Sequence, residues 1–162
     1  MVTTLPGPYA PRVRLARKAQ YALYGVFDLA YNGRGEPLQI RVISERQGVP
    51  ARYLEQIFQR LRRAGLVTSK RGPGGGYLLA RPPAEITLRA VIEAACGPLA
   101  SSLATEAPAA GDRTPYRPDF LWPALGERLA SVLDATTLET LCRDAARASV
   151  ERAAPDAPMY FI

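Results

Sequence analysis

The chain has 162 residues, 48% hydrophobic and 22% charged, which suits one ordinary core with an appended helical arm. No stretch reaches the roughly 18 uninterrupted apolar residues of a membrane span, and no basic segment followed by an apolar run opens the chain, so a cytoplasmic protein without membrane contact is expected. The net charge of +6 is unevenly spread: residues 1–95 hold 15 Lys+Arg against 6 Asp+Glu (+9), and residues 96–162 hold 6 against 9 (−3). Such a front half either meets a polyanion or is simply a basic solvated face.

Residues 1–13 contain three prolines and a glycine without periodicity and read as a flexible arm. A first helix is expected from near Arg14, with Leu15, Ala19, Ala22, Leu23, Val26, Phe27 and Ala30 on one stripe and Lys18, Gln20 and Asp28 on the polar face. Asn32-Gly33 supplies its stop. Residues 40–47 predict a short helix ending at Gly48, and Val49-Pro50 turns the chain into a second helix over 51–65 that ends at Gly65. Its stripe is Leu54, Ile57, Phe58, Leu61 and Ala64. Two short helices across a tight turn have the outline of a helix-turn-helix.

Leu66–Arg71 and Tyr77–Ala80 predict a hairpin around the tip Gly72-Pro73-Gly74-Gly75-Gly76. A further helix starts at Thr87 as cap, with Ile86 stapled against Val91, and ends near Gly97-Pro98. Residues 97–118, rich in Ala, Pro, Ser and Gly, read as a linker. Beyond it Leu121, Leu125, Leu129, Val132 and Leu133, joined by Phe120 and Trp122, form a stripe that one helix cannot bury alone. A capping box Thr136-x-x-Glu139 then begins a last helix carrying Leu138, Leu141, Cys142 and Ala145.

A helix that reads base edges packs one face on its domain and presents donors and acceptors with the other. Opposite the 51–65 stripe lie Arg52, Glu55, Gln56 and Gln59, with Arg62 and Arg63 toward the end. Arg can bridge guanine, Gln can bridge adenine and Glu can accept from cytosine N4. Lys70-Arg71 stands at the entrance to the glycine-rich tip, where a narrow cationic loop can enter a minor groove. The bland alternatives are a solvated helix face and a surface turn. GPGGGY lacks the Gly-Lys-Ser/Thr ending of a phosphate loop and does not open a helix.

The segments KAQYALYGVFDLA, QGVPARYLEQIFQRLRRAGLV and KRGPGGGYLLARPPAEITL together resemble the Rrf-two family of winged helix-turn-helix transcription regulators. The resemblance covers Arg14–Ala95 and returns at LWPALGERLASVLDATTLETL. It implies a mainly α fold with a small β-hairpin wing: a flexible arm at 1–13, a DNA-binding domain over 14–96, a linker at 97–118, dimerisation helices over 119–150 and a tail at 151–162. It also implies a homodimer that reads a pseudo-palindrome in double-stranded DNA, with repression the expected mode. By position Arg52, Tyr53, Glu55 and Gln56 fall on recognition-helix contacts, Arg71 on the wing contact, and Lys18 and Tyr21 on phosphate contacts. Leu121, Trp122, Leu125, Leu129 and Val132 fall on the dimer helix.

Cluster-binding members carry three closely spaced cysteines just before that helix. Here Ala104, Ala110 and Tyr116 stand near those places and Asp119 near the remaining ligand position, so no iron–sulfur cluster, other cofactor or metal is expected. The two cysteines, Cys96 and Cys142, are too few for a disulfide framework or a CxxC site, and histidine, the usual general base, is absent; no enzyme is expected. Cys96 near a helix C-terminus faces the negative end of a dipole, which disfavours its thiolate, and is kept only as a redox candidate. Cys142 reads as a small buried hydrophobe. Relatives commonly begin where Val13-Arg14-Leu15 lies, making residue 13 an expected alternative start. A protein or small-molecule effector is left open, and the rival function is a protein-interaction module of the same fold.

Overall fold

The computed structural model describes residues 15–99, 118 and 120–154. Element order is α1 (Arg17–Asn32), α2 (Ile40–Gln47), α3 (Ala51–Arg63), β1 (Val67–Lys70), β2 (Gly76–Leu79), a 3-10 turn (Pro83–Glu85), α4 (Leu88–Cys96), α5 (Leu121–Ala135) and α6 (Leu138–Arg147). This is the expected mainly helical fold with one antiparallel hairpin. The arm expected at 1–13 and most of the linker at 97–118, with Ala104, Ala110, Tyr116 and Asp119, lie outside the described residues.

Leu54, Ile57, Phe58 and Leu61 recur at helical spacing and are fully buried, so α3 is fixed against α1, α2 and α4 by one face. Ala22, Val26, Ile43, Ile86, Val91, Ala95 and Leu138 belong to the same core. Burying each large aliphatic side chain of this set contributes on the order of 1.5–3 kcal/mol. Gly65, at φ +71, ends α3 as expected: Leu66 N donates to Leu61 O at 3.0 Å and Gly65 N to Arg62 O at 3.0 Å. Gly48 ends α2 in the same left-handed conformation.

β1 and β2 pair with Val67 opposite Leu79 and Lys70 opposite Gly76. Leu38, just before α2, extends this hairpin by one bridge, giving and receiving backbone hydrogen bonds with Tyr77 at 2.9 and 2.8 Å. Gly76 makes the approach possible, because a Cβ there would stand 2.4 Å from Leu38 O.

Two expectations are corrected. Asp28, assigned to the polar face of α1, is fully buried. It points between α1 and α2, where Asn32 Nδ2 donates to its Oδ1 and Arg46 pairs with its Oδ2 at 3.7 Å. Burial pushes its carboxyl above the ordinary range against the pull of Asn32, Arg46 and Gln47. The cap of α6 is Thr137, which accepts from Thr140 N at 3.2 Å, and not Thr136. Thr136 is held in the preceding turn: its hydroxyl donates to Val132 O and its carbonyl accepts from Leu88 N.

The apolar residues of α5 divide between two surroundings. Leu133 is buried and Leu129 half-buried against Ala19, Ile92 and Leu99 of the same chain. Leu121, Trp122, Leu125 and Val132 remain exposed, with Trp122 at 51% and Val132 at 61%. Arg89 of α4 reaches Asp134 of α5 at 2.8 Å and Glu93 at 3.2 Å. Glu93 also accepts from Leu99 N at 3.0 Å, fixing the start of the segment that leaves α4.

Candidate nucleic-acid interface

The burial of one face of α3 determines what the other can present. Arg52, Tyr53, Glu55, Gln56, Gln59, Arg62 and Arg63 all project outward on that exposed side. Three arginines occupy the last turn of α3, where a cation is favoured by the negative end of the helix dipole. Two of them are also used within the fold. Arg60 donates to Ala95 O at 3.2 Å, closing the C-terminal end of α4, and Arg62 donates to Ser69 Oγ at 3.1 Å, tying α3 to the first strand of the wing.

At the other end of α3 a shallow cleft of about 490 Å³ is lined by Arg17, Tyr21, Pro50, Arg52, Tyr53 and Gln56. The Tyr21 and Tyr53 rings meet edge to face across it, 5.5 Å between centroids and 87° between planes. No side chain caps α3, and its N-terminus, the positive end of the dipole, opens beside Arg17 and Arg52. The first turns of α1 and α3 thus converge on one largely apolar hollow that carries the cations Arg17 and Arg52.

Sequence reasoning named four of these lining residues, Tyr21, Arg52, Tyr53 and Gln56, but missed Arg17. The signal was present: Arg17 and Tyr21 are four residues apart on a helix and share a face. Lys18, one residue on, turns away. It is half-buried on the side of α4, close enough for its charge to oppose the upward push that burial gives the Cys96 thiol. Lys70 and Arg71 are both exposed where the hairpin passes into its tip. Gly75 N donates to Gly72 O at 2.9 Å to close that tip, and Gly72 and Gly74 have φ of +95 and +68.

A helix-turn-helix whose second helix carries this polar face, followed by a hairpin with cations at its tip, defines a winged helix-turn-helix DNA-binding protein. Comparison with known proteins narrows the class. Residues 15–144 match the Rrf2 profile, described as an iron-dependent transcriptional regulator, and the chain belongs to the Rrf2 family. It is 41% identical over 131 residues to the HTH-type transcriptional regulator IscR of Serratia proteamaculans, covering 80% of this chain and 79% of that one. Among solved structures, T. potens IscR superposes with a TM-score of 0.67 at 32% identity, covering 87% of this chain and 94% of that one. CymR, the global cysteine regulator of B. subtilis, gives 0.67 at 34% identity, covering 82% and 98%. The protein is a DNA-binding transcription regulator, as its relatives are.

The iron dependence in the family description meets a donor set that does not fit a three-cysteine cluster. The whole chain offers two cysteines and no histidine. Cys96 ends α4, half-buried between the two parts of the core, and Cys142 lies half-buried on α6. Burial raises both thiols above their ordinary range, with Lys18 and Arg60 acting against it at Cys96 and Arg152 at Cys142. Among the described residues no group of three or more Cys, Asp or Glu gathers as a metal site.

Proposed function

We propose that the chain acts as a homodimer on a pseudo-palindromic operator and regulates transcription without an iron–sulfur cluster. The observation that carries this reading is the two-faced α3, with Leu54, Ile57, Phe58 and Leu61 fully buried and Arg52, Glu55, Gln56 and Gln59 exposed opposite them. That outer face enters the major groove, where its guanidinium, amide and carboxylate groups address base edges. The cleft formed by Arg17, Tyr21, Arg52 and Tyr53 receives the sugar-phosphate backbone at the entry of the helix, which fixes register rather than sequence. Lys70 and Arg71 follow the neighbouring minor groove, and Lys18, Arg62 and Arg63 add salt-sensitive attraction.

The second copy is called for by α5. Leu121, Trp122, Leu125 and Val132 leave an apolar face that the core of the described residues does not cover, while Leu129 and Leu133 secure the same helix to the DNA-binding domain. Pairing of two such faces sets two copies of α3 at a fixed separation, as a two-fold operator requires.

The test is selection of genomic fragments by the purified untagged protein at near-physiological salt. A shared inverted repeat among the selected fragments, bound equally with and without an iron chelator, is the expected result. Enrichment without a common motif, or binding that collapses on chelation, overturns the reading.

A further inference from the structure

Helix α2 packs on the core through Ile43, which is buried, and Ile40, which is partly buried. The buried Asp28 of α1 and Arg46 of α2 supply a second attachment. Asn32, one turn along α1 from Asp28, links that attachment to the far end of the chain. Its Nδ2 donates to Asp28, and its Oδ1 accepts the backbone N–H of Ala153 at 2.9 Å. Both ends of one side-chain amide are thereby used in opposite directions, which a carboxylate or an apolar side chain could not do.

Two further contacts lay the same segment across the last turn of α1. The Tyr31 hydroxyl donates to Val150 O at 2.9 Å, and the Arg152 guanidinium stands 4.5 Å from the centroid of the Tyr31 ring. Tyr31 is itself buried and stacked on Phe27. The segment from Val150 to Ala153 directly follows α6, whose predecessor α5 carries the exposed apolar face.

We infer that residues 150–153 are a strap that positions the helix-turn-helix, with Asn32 as the positioning residue through which it acts. The strap holds Asn32, Asn32 holds Asp28, and Asp28 with Arg46 holds α2 at the angle from which the turn presents α3. That turn is closed by Ser44 Oγ donating to Val49 O at 2.6 Å, so an error in α2 is carried into α3. The inference rests on α3 as the DNA-reading helix, but the strap itself is read without DNA.

The experiment compares the full chain with a chain ending at Ser149 and with Ala153→Pro, which removes the N–H that reaches Asn32 and also fixes φ at 153 and restricts Arg152. Hydrogen exchange is followed helix by helix. Both variants are expected to speed exchange in α2 while leaving α4 as protected as before. Each also loses affinity for a fragment selected by the full chain at least about threefold more than for a random duplex of equal length, the scale of mutational effects on coupling. Unchanged exchange in α2, or exchange that rises equally in α4, overturns the inference. If the full chain selects no sequence at all, recognition by α3 fails while the exchange result still decides the strap.

Discussion

Gly25 of α1 lies against the Phe58 ring of α3 so closely that a Cβ at Gly25 would stand 2.6 Å from Phe58 Cε2 and 3.2 Å from Leu54 Cδ2. The ring is fully buried and cannot swing aside. Gly25→Ala therefore overpacks the contact that seats α3, at about 1–3 kcal/mol, against a helix-propensity gain of up to about 1 kcal/mol. The urea midpoint is expected to fall with an unchanged m-value. A midpoint that holds or rises would mean that α1 and α3 can separate freely.

Asp28 gives the fold a pH dependence of definite sign. Its folded-state pKa is raised by burial above the ordinary carboxylate value. Its contribution to stability is then fully present below the unfolded pKa and lost as pH rises through the folded one. Asp28→Asn removes that titration and approximates the neutral form. Wild type should gain stability relative to Asp28→Asn as pH is lowered from neutral toward the ordinary carboxylate range. Thermal melts of both proteins across that interval check it, and a relative loss on acidification would show that the ion pair with Arg46 outweighs desolvation.

The division of α5 separates dissociation from unfolding. Leu125 is 44% exposed and Leu133 is 9% exposed. Leu125→Asp should yield a monomer with unchanged circular dichroism, because the charge stays in water. Leu133→Asp should unfold the chain or lower its melting point sharply, because it buries an unpaired carboxylate. Sedimentation and melting measured together distinguish the two outcomes. A dimer persisting in Leu125→Asp would place the interface elsewhere.

Two arginines near the wing should behave differently. Arg71 is exposed at the tip, so Arg71→Ala should change stability by no more than about 0.5 kcal/mol, as surface substitutions usually do. It should weaken operator binding by about 1–3 kcal/mol if it reads a base or a narrow groove. Arg62→Ala removes the bond to Ser69 as well and should lower the melting point together with affinity. Titration of a selected fragment and of a random duplex checks both; equal losses on the two duplexes would make Arg71 a phosphate contact.

The helix-turn-helix and wing were legible because their signals are local. Left-handed glycines end α2 and α3, and the apolar stripe of α3 has a helical period over its whole length. Arg17 was missed because a single cation at a helix start carries no signal until α3 is placed beside it. Asp28 was misread for a related reason: periodicity marks charges as outward, whereas this one is retained inside by Asn32 on its own helix and Arg46 on the next. The shift of the α6 cap from Thr136 to Thr137 could not be read from two adjacent threonines. It is decided by the contacts of the connecting turn with Ile86 and Leu88.

The paired backbone bonds between Leu38 and Tyr77 make the wing something other than a free-swinging flap. They stitch its root to the residue that leads into α2, so a load applied at the tip arrives at the threshold of the helix pair instead of dissipating in a hinge. If α3 and the tip dock as proposed, a duplex whose minor groove is too wide for the tip should disturb how α3 seats in the adjoining major groove. The two grooves would then be gauged together, and base pairs that no side chain touches would acquire a vote in whether the protein stays.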